Sequence, residues 1–292
     1  MAFTLLTGTL AIPYIPSNAA NLNINVSIDT TQDKTPISQL IYGGNWNFND
    51  ASLTSKRLGG NRMTGYNWEN NFSSAGSDWQ HSSDTFLLSD GNVPKEQWSQ
   101  PASVITTFHD RNQSENIPYS LVTLQAAGYV SADSKGTVSE AETAPSARWK
   151  EVKFNKDSAL SLTPDTTDDY VYMDELVNFL TNKYGSASTP TSIKAYAIDN
   201  EPALWPHTHV RIHPDQPTCS EILNKNIELS KAVKKIDPAA EVFGAVLYGF
   251  AAYSSFQSAP DWENVKGNYN WFLDYYLHNM KKASDIEGKR LL

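Results

Sequence analysis

Residues 193–202 read IKAYAIDNEP, and this stretch decides the fold class. The six residues that begin it predict a short strand. Pro202 ends the strand, because proline lacks the N–H that a sheet requires. Asp199, Asn200 and Glu201 are therefore presented together at the carboxyl end of a strand. In α/β proteins with parallel strands, functional side chains gather at that end of the sheet.

Strands and helices alternate on both sides of this stretch. We predict strands at residues 39–45, 61–66, 119–125, 193–198 and 242–248, and helices at 53–58, 99–112, 171–184, 219–236 and 269–282. Such alternation predicts a parallel sheet with helices packed on it. Its length and rhythm predict an α/β fold, a TIM-like (β/α)8 barrel of which about the first five β/α units are present.

The predicted domain organisation has two parts. Residues 36–292 are expected to form the first part of the barrel, which is incomplete without further strands. Residues 1–35 contain the alternating segment NLNINVSID at 21–29, a pattern typical of a half-buried strand. We expect this N-terminal segment to contribute a strand to an accessory β-sandwich.

The composition narrows the class of partner. The 292 residues carry a formal net charge of -9 and only 19% charged residues, with 8 Trp and 14 Tyr. A negative balance argues against nucleic acid, which requires a basic surface, and equally against anionic membranes. Few charges, many aromatic rings and many uncharged polar residues fit an extracellular protein that handles neutral polyols. The single cysteine, Cys219, excludes an intramolecular disulfide. We expect an extracellular location.

Glu201 is the leading catalytic candidate. Hydrolysis of a glycosidic bond needs one carboxylic acid near the leaving oxygen and a second carboxylate across the sugar ring. Glu201, presented at a strand end beside Asn200, suits the first role, and Asn200 suits a hydrogen bond to a sugar hydroxyl. The alternative is a solvated glutamate in a turn. The second carboxylate is not recognisable in this chain.

Several other residues are candidates for contacts with a sugar substrate. Tryptophan rings offer flat faces for stacking on a pyranose, and polar side chains at strand ends can hydrogen-bond to it. We expect Arg62 to lie in the second strand and to hold a catalytic carboxylate by a bidentate contact, or else to form a structural salt bridge. The remaining predicted contacts are Asn45, Trp46, Trp68, Trp79, Trp205 and His209.

Two metal hypotheses stay open at this point. His207, His209 and His213 have a spacing that could chelate zinc, so a metal-dependent hydrolase is the alternative chemistry. Asp168 in an acidic run, with Glu69 as a distant ligand, could hold a structural calcium ion, although helix capping also explains the acidic run. No organic cofactor is expected. A non-catalytic carbohydrate-binding protein is a further alternative.

Three segments give the sequence a family resemblance. IYGGNWNF at 41–48, GGNRMTGYNWENNFSSAGSDW at 59–79 and AIDNEPALWPHTHVRIHP at 197–214 resemble glycoside hydrolase family 44. The resemblance implies a retaining endo-β-1,4-glucanase, with xylan or xyloglucan as further substrates, built from a TIM-like barrel and a β-sandwich.

The resemblance also implies roles for single residues. Glu201 corresponds to the family's acid/base, and Asn200 to the neighbour that contacts the sugar. The family nucleophile is a glutamate near the end of the seventh barrel strand, which this sequence does not reach. The expected partners are therefore a β-1,4-linked polysaccharide and the C-terminal half of the same protein. The resemblance favours a bound calcium ion as well.

Overall fold

The computed structural model describes residues 24–47, 50 and 52–292. The chain divides into two units, Met1–Ile37 and Ser38–Leu292. In the first unit, the described residues 24–37 form no helix or strand. The strand predicted at 21–29 is therefore absent over residues 24–29, and residues 21–23 lie outside the described part. An alternating segment forms a strand only when a neighbour supplies hydrogen bonds.

The second unit is an α/β structure with a parallel central sheet. Its strands are β1 Gly43–Asn45, β2 Ser55–Leu58, β3 Ser73–Ser74, β4 Ser82–Asp84, β5 Tyr119–Leu124, β6 Tyr129–Ser131, β7 Gly136–Thr137, β8 Trp149–Lys153, β9 Tyr170–Tyr172, β10 Ala195–Ile198 and β11 Glu241–Phe243. Its helices are α1 Asn61–Thr64, α2 Phe86–Asp90, α3 Ser103–Ser114, α4 Met173–Tyr184, α5 Trp205–Thr208, α6 Cys219–Ile236, α7 Phe250–Ser255, α8 Trp262–Val265 and α9 Phe272–Glu287.

The central sheet has five strands in the order β1-β2-β5-β10-β11, and every neighbouring pair is parallel. The register aligns Asn45, Arg57, Leu121 and Ala195 across four adjacent strands. Since all strands point the same way, the loops that follow them emerge at one edge of the sheet, the carboxyl edge.

Two short sheets lie in the long loops at the carboxyl edge. One has the order β3-β4-β7 and the other β6-β8-β9. The β4–β7 pairing joins the loop after β2 to the loop after β5, and the hydroxyls of Ser83 and Ser131 lie 3.0 Å apart across the same contact. These loops are ordered by backbone pairing. Their sequences lack periodicity, so the short strands within them were not predicted.

The long helices follow apolar periodicity. In α4, Met173, Leu176, Val177 and Leu180 are all buried, at the spacing that places them on one face. Burying each such side chain contributes about 1.5–3 kcal/mol. In α6, the Thr218 hydroxyl accepts a hydrogen bond from the Glu221 N–H at 2.9 Å and so caps the helix, worth about 1 kcal/mol.

The predictions failed for two short elements near residue 60. The helix predicted at 53–58 is strand β2, and the strand predicted at 61–66 is helix α1 followed by a turn. Lys56 gives β2 a polar character in sequence, yet it is buried and forms an ion pair with Glu115 at 2.7 Å. An element of four residues is too short to show a period, so tertiary pairing decides its conformation.

Candidate active site

Glu201 lies at the carboxyl edge of the sheet, three residues beyond the end of β10. The chain turns sharply there, because Asp199 has φ 57° and Glu201 has φ 47°, both in the left-handed region. Non-glycine residues adopt this conformation at a cost of about 1–2 kcal/mol each. The Glu201 N–H donates a hydrogen bond of 3.0 Å to the Val246 carbonyl, beyond β11. The turn leaves the Glu201 side chain half-buried.

Arg57 and Asn200 orient the Glu201 carboxylate. Arg57 Nη2 donates a hydrogen bond of 3.0 Å to Asn200 Oδ1, and Asn200 Nδ2 faces Glu201 Oε2 at 3.3 Å. Burial lowers the pKa of Arg57, while the nearby carboxylates of Glu201 and Asp199 act in the opposite direction. The guanidinium thus fixes which face of the Asn200 amide points at Glu201.

Arg57 was missed in the sequence because β2 was interpreted as a helix. Arg62 was expected to hold a catalytic carboxylate, but the arginine beside Asn200 and Glu201 is Arg57. Arg62 lies on α1 and makes a bidentate ion pair with Asp84 at 2.6 and 3.2 Å, with its guanidinium over the Phe86 ring at 4.3 Å. It therefore forms the structural salt bridge that was the alternative.

The tryptophans predicted to contact a sugar differ in how deeply they are buried. Trp68 and Trp205 are 0% and 1% exposed, and their indole N–H groups donate to the Tyr172 carbonyl and to Asp199 Oδ1. Both rings are covered by protein, so the prediction that they stack on a sugar is wrong. Trp79 is 63% exposed at the end of a short 3-10 helix and remains available for stacking.

Asn45 and Trp46 end strand β1. Asn45 is exposed and lines a cavity of about 610 Å³ that Arg57 also lines. Trp46 is half-buried and packs against the core, where it lines a small cavity with Leu58 and Phe108. A substrate contact from Asn45 stays a prediction, and Trp46 has only part of its ring free for one.

The three histidines do not form a metal-binding group within the described residues. Two of them have separate partners, and the third is exposed. His209 is buried, and its Nε2 lies 2.8 Å from the Asn61 carbonyl oxygen. Burial lowers the pKa of His209 and so favours the neutral ring. His213 Nε2 pairs with Glu221 at 2.9 Å, whereas His207 is exposed. A substrate contact from His209 is ruled out by its burial.

The residues proposed for metals do not form a metal site. Lys150 Nζ lies 3.2 Å from Glu69 and 3.8 Å from Asp168, so an ammonium group occupies the place between the two carboxylates. Burial raises the pKa of Glu69 to about 7, with Lys150 acting against it. This pair does not fit a calcium ion. Within residues 24–47, 50 and 52–292, no group of three or more histidine, cysteine or acidic side chains could hold a metal.

Comparison with known proteins identifies the family. The family model of glycoside hydrolase family 44 matches residues 72–292. The chain belongs to glycoside hydrolase family 44. This is the family that the sequence resembled.

Curated relatives match most of this chain but are much longer. An Endoglucanase A from Paenibacillus lautus is 55% identical over 286 residues, which cover 97% of this chain and 41% of the relative. A Beta-mannanase/endoglucanase A from Caldicellulosiruptor saccharolyticus is 56% identical over 269 residues, covering 92% of this chain and 20% of the relative. The chain therefore spans well under half the length of these relatives.

Solved structures show the same fold. A family 44 endoglucanase from Clostridium thermocellum is 69% identical, with a TM-score of 0.87, covering 88% of this chain and 50% of that one. A family 44 xyloglucanase from Paenibacillus polymyxa, solved with xyloglucan, is 57% identical, with a TM-score of 0.86 and the same coverage. In the part of the chain that the structure describes, no helix is both long and apolar enough to cross a membrane.

Proposed function

We propose that the protein containing this chain is a retaining endo-β-1,4-glucanase that uses Glu201 as its general acid and base. The observation that carries the proposal is the chain of contacts from Arg57 through Asn200 to Glu201 at the carboxyl edge of a parallel sheet. Membership of family 44 and the names of the relatives support a polysaccharide substrate.

Two steps account for the reaction. In the first, the Glu201 carboxylic acid gives its proton to the glycosidic oxygen as the bond from that oxygen to the anomeric carbon breaks. A carboxylate from the remainder of the protein attacks the anomeric carbon and forms a glycosyl-enzyme. In the second, the Glu201 carboxylate takes a proton from water, and the water oxygen displaces the enzyme carboxylate. Such carboxyl pairs lie about 5–5.5 Å apart.

The finer features of the proposal concern architecture and substrate. The five-stranded sheet is proposed to be part of an eight-stranded barrel that the rest of the protein completes, with a β-sandwich beside it. Unbranched β-1,4-glucan is the proposed substrate, with xyloglucan or xylan as further substrates. A protein acting on such polymers is proposed to be secreted. Asn200 and Asn45 are proposed to hydrogen-bond to sugar hydroxyls, and Trp79 to stack on a ring.

The test uses Glu201→Ala and Glu201→Gln in the full-length protein. Both variants should lose 100-fold or more of their turnover on polysaccharide, since general acid–base catalysis contributes about 10²–10⁴. An aryl glycoside with a good leaving group needs no proton, so its first step should survive. Azide should then accelerate the Glu201→Ala variant and form a β-glycosyl azide, because azide attacks without a base.

Glu140→Gln is the matched control, since its side chain is 89% exposed. Normal turnover by Glu201→Gln would overturn the proposal. Loss of activity with a chelator, in a protein that tolerates Glu201→Gln, would favour the metal-dependent hydrolase. Binding of cello-oligosaccharides without hydrolysis in the full-length protein would favour the non-catalytic alternative.

A further inference from the structure

Asp199 begins the turn that carries Asn200 and Glu201, and its side chain is 1% exposed. Its Oδ1 accepts hydrogen bonds from Thr64 Oγ1 at 2.6 Å, from the Asn200 N–H at 2.7 Å and from the Trp205 indole N–H at 3.3 Å. Three donors therefore converge on one oxygen, and one of them, Thr64, is 135 residues away in sequence.

The second carboxylate oxygen of Asp199 is occupied as well. Its Oδ2 accepts backbone hydrogen bonds from Ala126 at 2.5 Å and Ala127 at 2.9 Å, which follow β5. With five donors on two oxygens, the carboxylate has no further capacity to act on a substrate. Hydrogen bonds to a carboxylate are among the stronger ones in proteins, so these contacts can hold a strained backbone in place.

The donors come from the ends of three neighbouring strands. Thr64 lies on α1 after β2, Ala126 follows β5, and Trp205 begins α5 after β10. The buried Asp199 carboxylate therefore ties together the segments that follow β2, β5 and β10. The loop that carries Asp199 needs this anchor, since it contains the two left-handed residues Asp199 and Glu201.

We propose that Asp199 is a positioning residue that sets the orientation of Asn200 and Glu201 for proton transfer. The inference rests on the proposed glucanase function and adds a residue that acts without touching the substrate. An asparagine cannot replace it, because an amide presents one oxygen and one NH₂ group. Whichever way the amide is turned, its NH₂ group faces at least two donors and loses their hydrogen bonds.

The experiment compares Asp199→Asn, Thr64→Val and Glu201→Gln in the full-length protein on two substrates. One substrate is a β-1,4-glucan, whose leaving group requires protonation. The other is an aryl glycoside with a good leaving group, which does not. We expect Asp199→Asn to reduce kcat on the glucan about 100-fold with little change in KM, and to leave cleavage of the aryl bond near normal. A displacement of about 1 Å is enough for such a loss.

Thr64→Val removes one donor and should reduce kcat on the glucan by about tenfold. Cleavage of the aryl glycoside by this variant should stay near normal. Thr123→Val is the matched control, because Thr123 is buried on β5 and its hydroxyl has no partner among the described residues. It should leave both rates unchanged. Thermal unfolding of each variant, measured in parallel, reports the folded fraction.

The outcomes separate the two proposals. If Glu201→Gln shows no dependence on the leaving group, the proposed function is wrong. If the loss in Glu201→Gln depends on the leaving group, but folded Asp199→Asn and Thr64→Val keep normal rates on the glucan, the positioning role is wrong. Equal losses on both substrates in Thr64→Val would assign Asp199 a purely structural role and would also overturn the inference.

Discussion

Arg57 and Asn200 are 143 residues apart in sequence, and a hydrogen bond of 3.0 Å joins Arg57 Nη2 to Asn200 Oδ1. Because the amide oxygen is occupied by the guanidinium, the amide nitrogen must face Glu201, 3.3 Å away. A side chain on β2 thereby decides which hydrogen-bonding group stands beside the acid that follows β10. This relationship defines the candidate site more tightly than the Asn-Glu-Pro sequence does.

Arg57→Lys tests this relationship. Lysine keeps the charge but lacks the planar fork of arginine, so it cannot hold the amide in the same geometry. We expect kcat/KM on β-1,4-glucan to fall roughly 10- to 100-fold, measured in the full-length protein. Arg62→Lys is the control, because Arg62 pairs with Asp84 instead. A similar loss of activity in both variants would contradict a specific role for Arg57.

Trp79 and Trp68 should respond differently to replacement by alanine. Trp79 is 63% exposed, so Trp79→Ala should raise KM for long glucan chains about tenfold, with kcat and stability preserved. Trp79→Phe keeps a flat ring and should recover most of the binding. Trp68 is fully buried, and Trp68→Ala should cost about 3–5 kcal/mol of unfolding free energy. An unchanged KM in Trp79→Ala would remove this ring from the substrate site.

Glu69 should give the protein a pH-dependent stability near neutrality. Burial raises the pKa of Glu69 in the folded state to about 7, above its ordinary value of 4.5. The folded state therefore binds a proton more tightly than the unfolded state does. The stability that this proton contributes is fully present below pH 4.5 and is lost as pH rises through about 7, on the order of 3 kcal/mol in total.

Chemical denaturation at several values between pH 5 and 8 checks this expectation. The wild-type protein should lose stability relative to Glu69→Gln as pH rises, because glutamine does not ionise. Glu96→Gln, at an exposed position, should follow the wild type. Parallel curves for the wild type and Glu69→Gln would show that Glu69 does not titrate in this range.

Glu221 should have the opposite effect at acid pH. Burial raises its pKa, but hydrogen bonds and charges from His213 and Lys225 outweigh burial and lower the pKa to about 2. The carboxylate therefore contributes stability above pH 4.5, and this contribution is lost as pH falls through about 2. Glu221→Gln should cost on the order of 3 kcal/mol at pH 7, and the cost should shrink steadily between pH 4.5 and 2.5.

The control for this measurement is Glu263→Gln, since Glu263 pairs with Lys266 at an exposed position where its side chain is 76% exposed. Exposed pairs contribute about 0–1 kcal/mol, so this variant should differ little from the wild type. If the cost of Glu221→Gln were the same at pH 7 and pH 2.5, the ion pair with His213 and Lys225 would not be the source of stability.

Local sequence determined the long elements and the position of the acid. Helix α6 has the predicted bounds, 219–236, and β5 and β10 lie within the predicted strands. These elements have either one clear hydrophobic period or a continuous apolar run. Such a pattern predicts the element without any knowledge of its tertiary contacts. Glu201 follows β10 as predicted, but Pro202 does not end the strand: β10 ends at Ile198, where Asp199 turns the chain into the left-handed region.

Tertiary structure decided the rest. The identity of the arginine at the site, Arg57 and not Arg62, depends on a strand of four residues that exists only because β1 and β5 pair with it. The burial of Trp205, and the convergence of donors on Asp199, depend on loops that are distant in sequence. The local sequence pattern does not predict which distant residues will pair. Each such contact is fixed by the geometry of the whole sheet and by the exclusion of water from its edge.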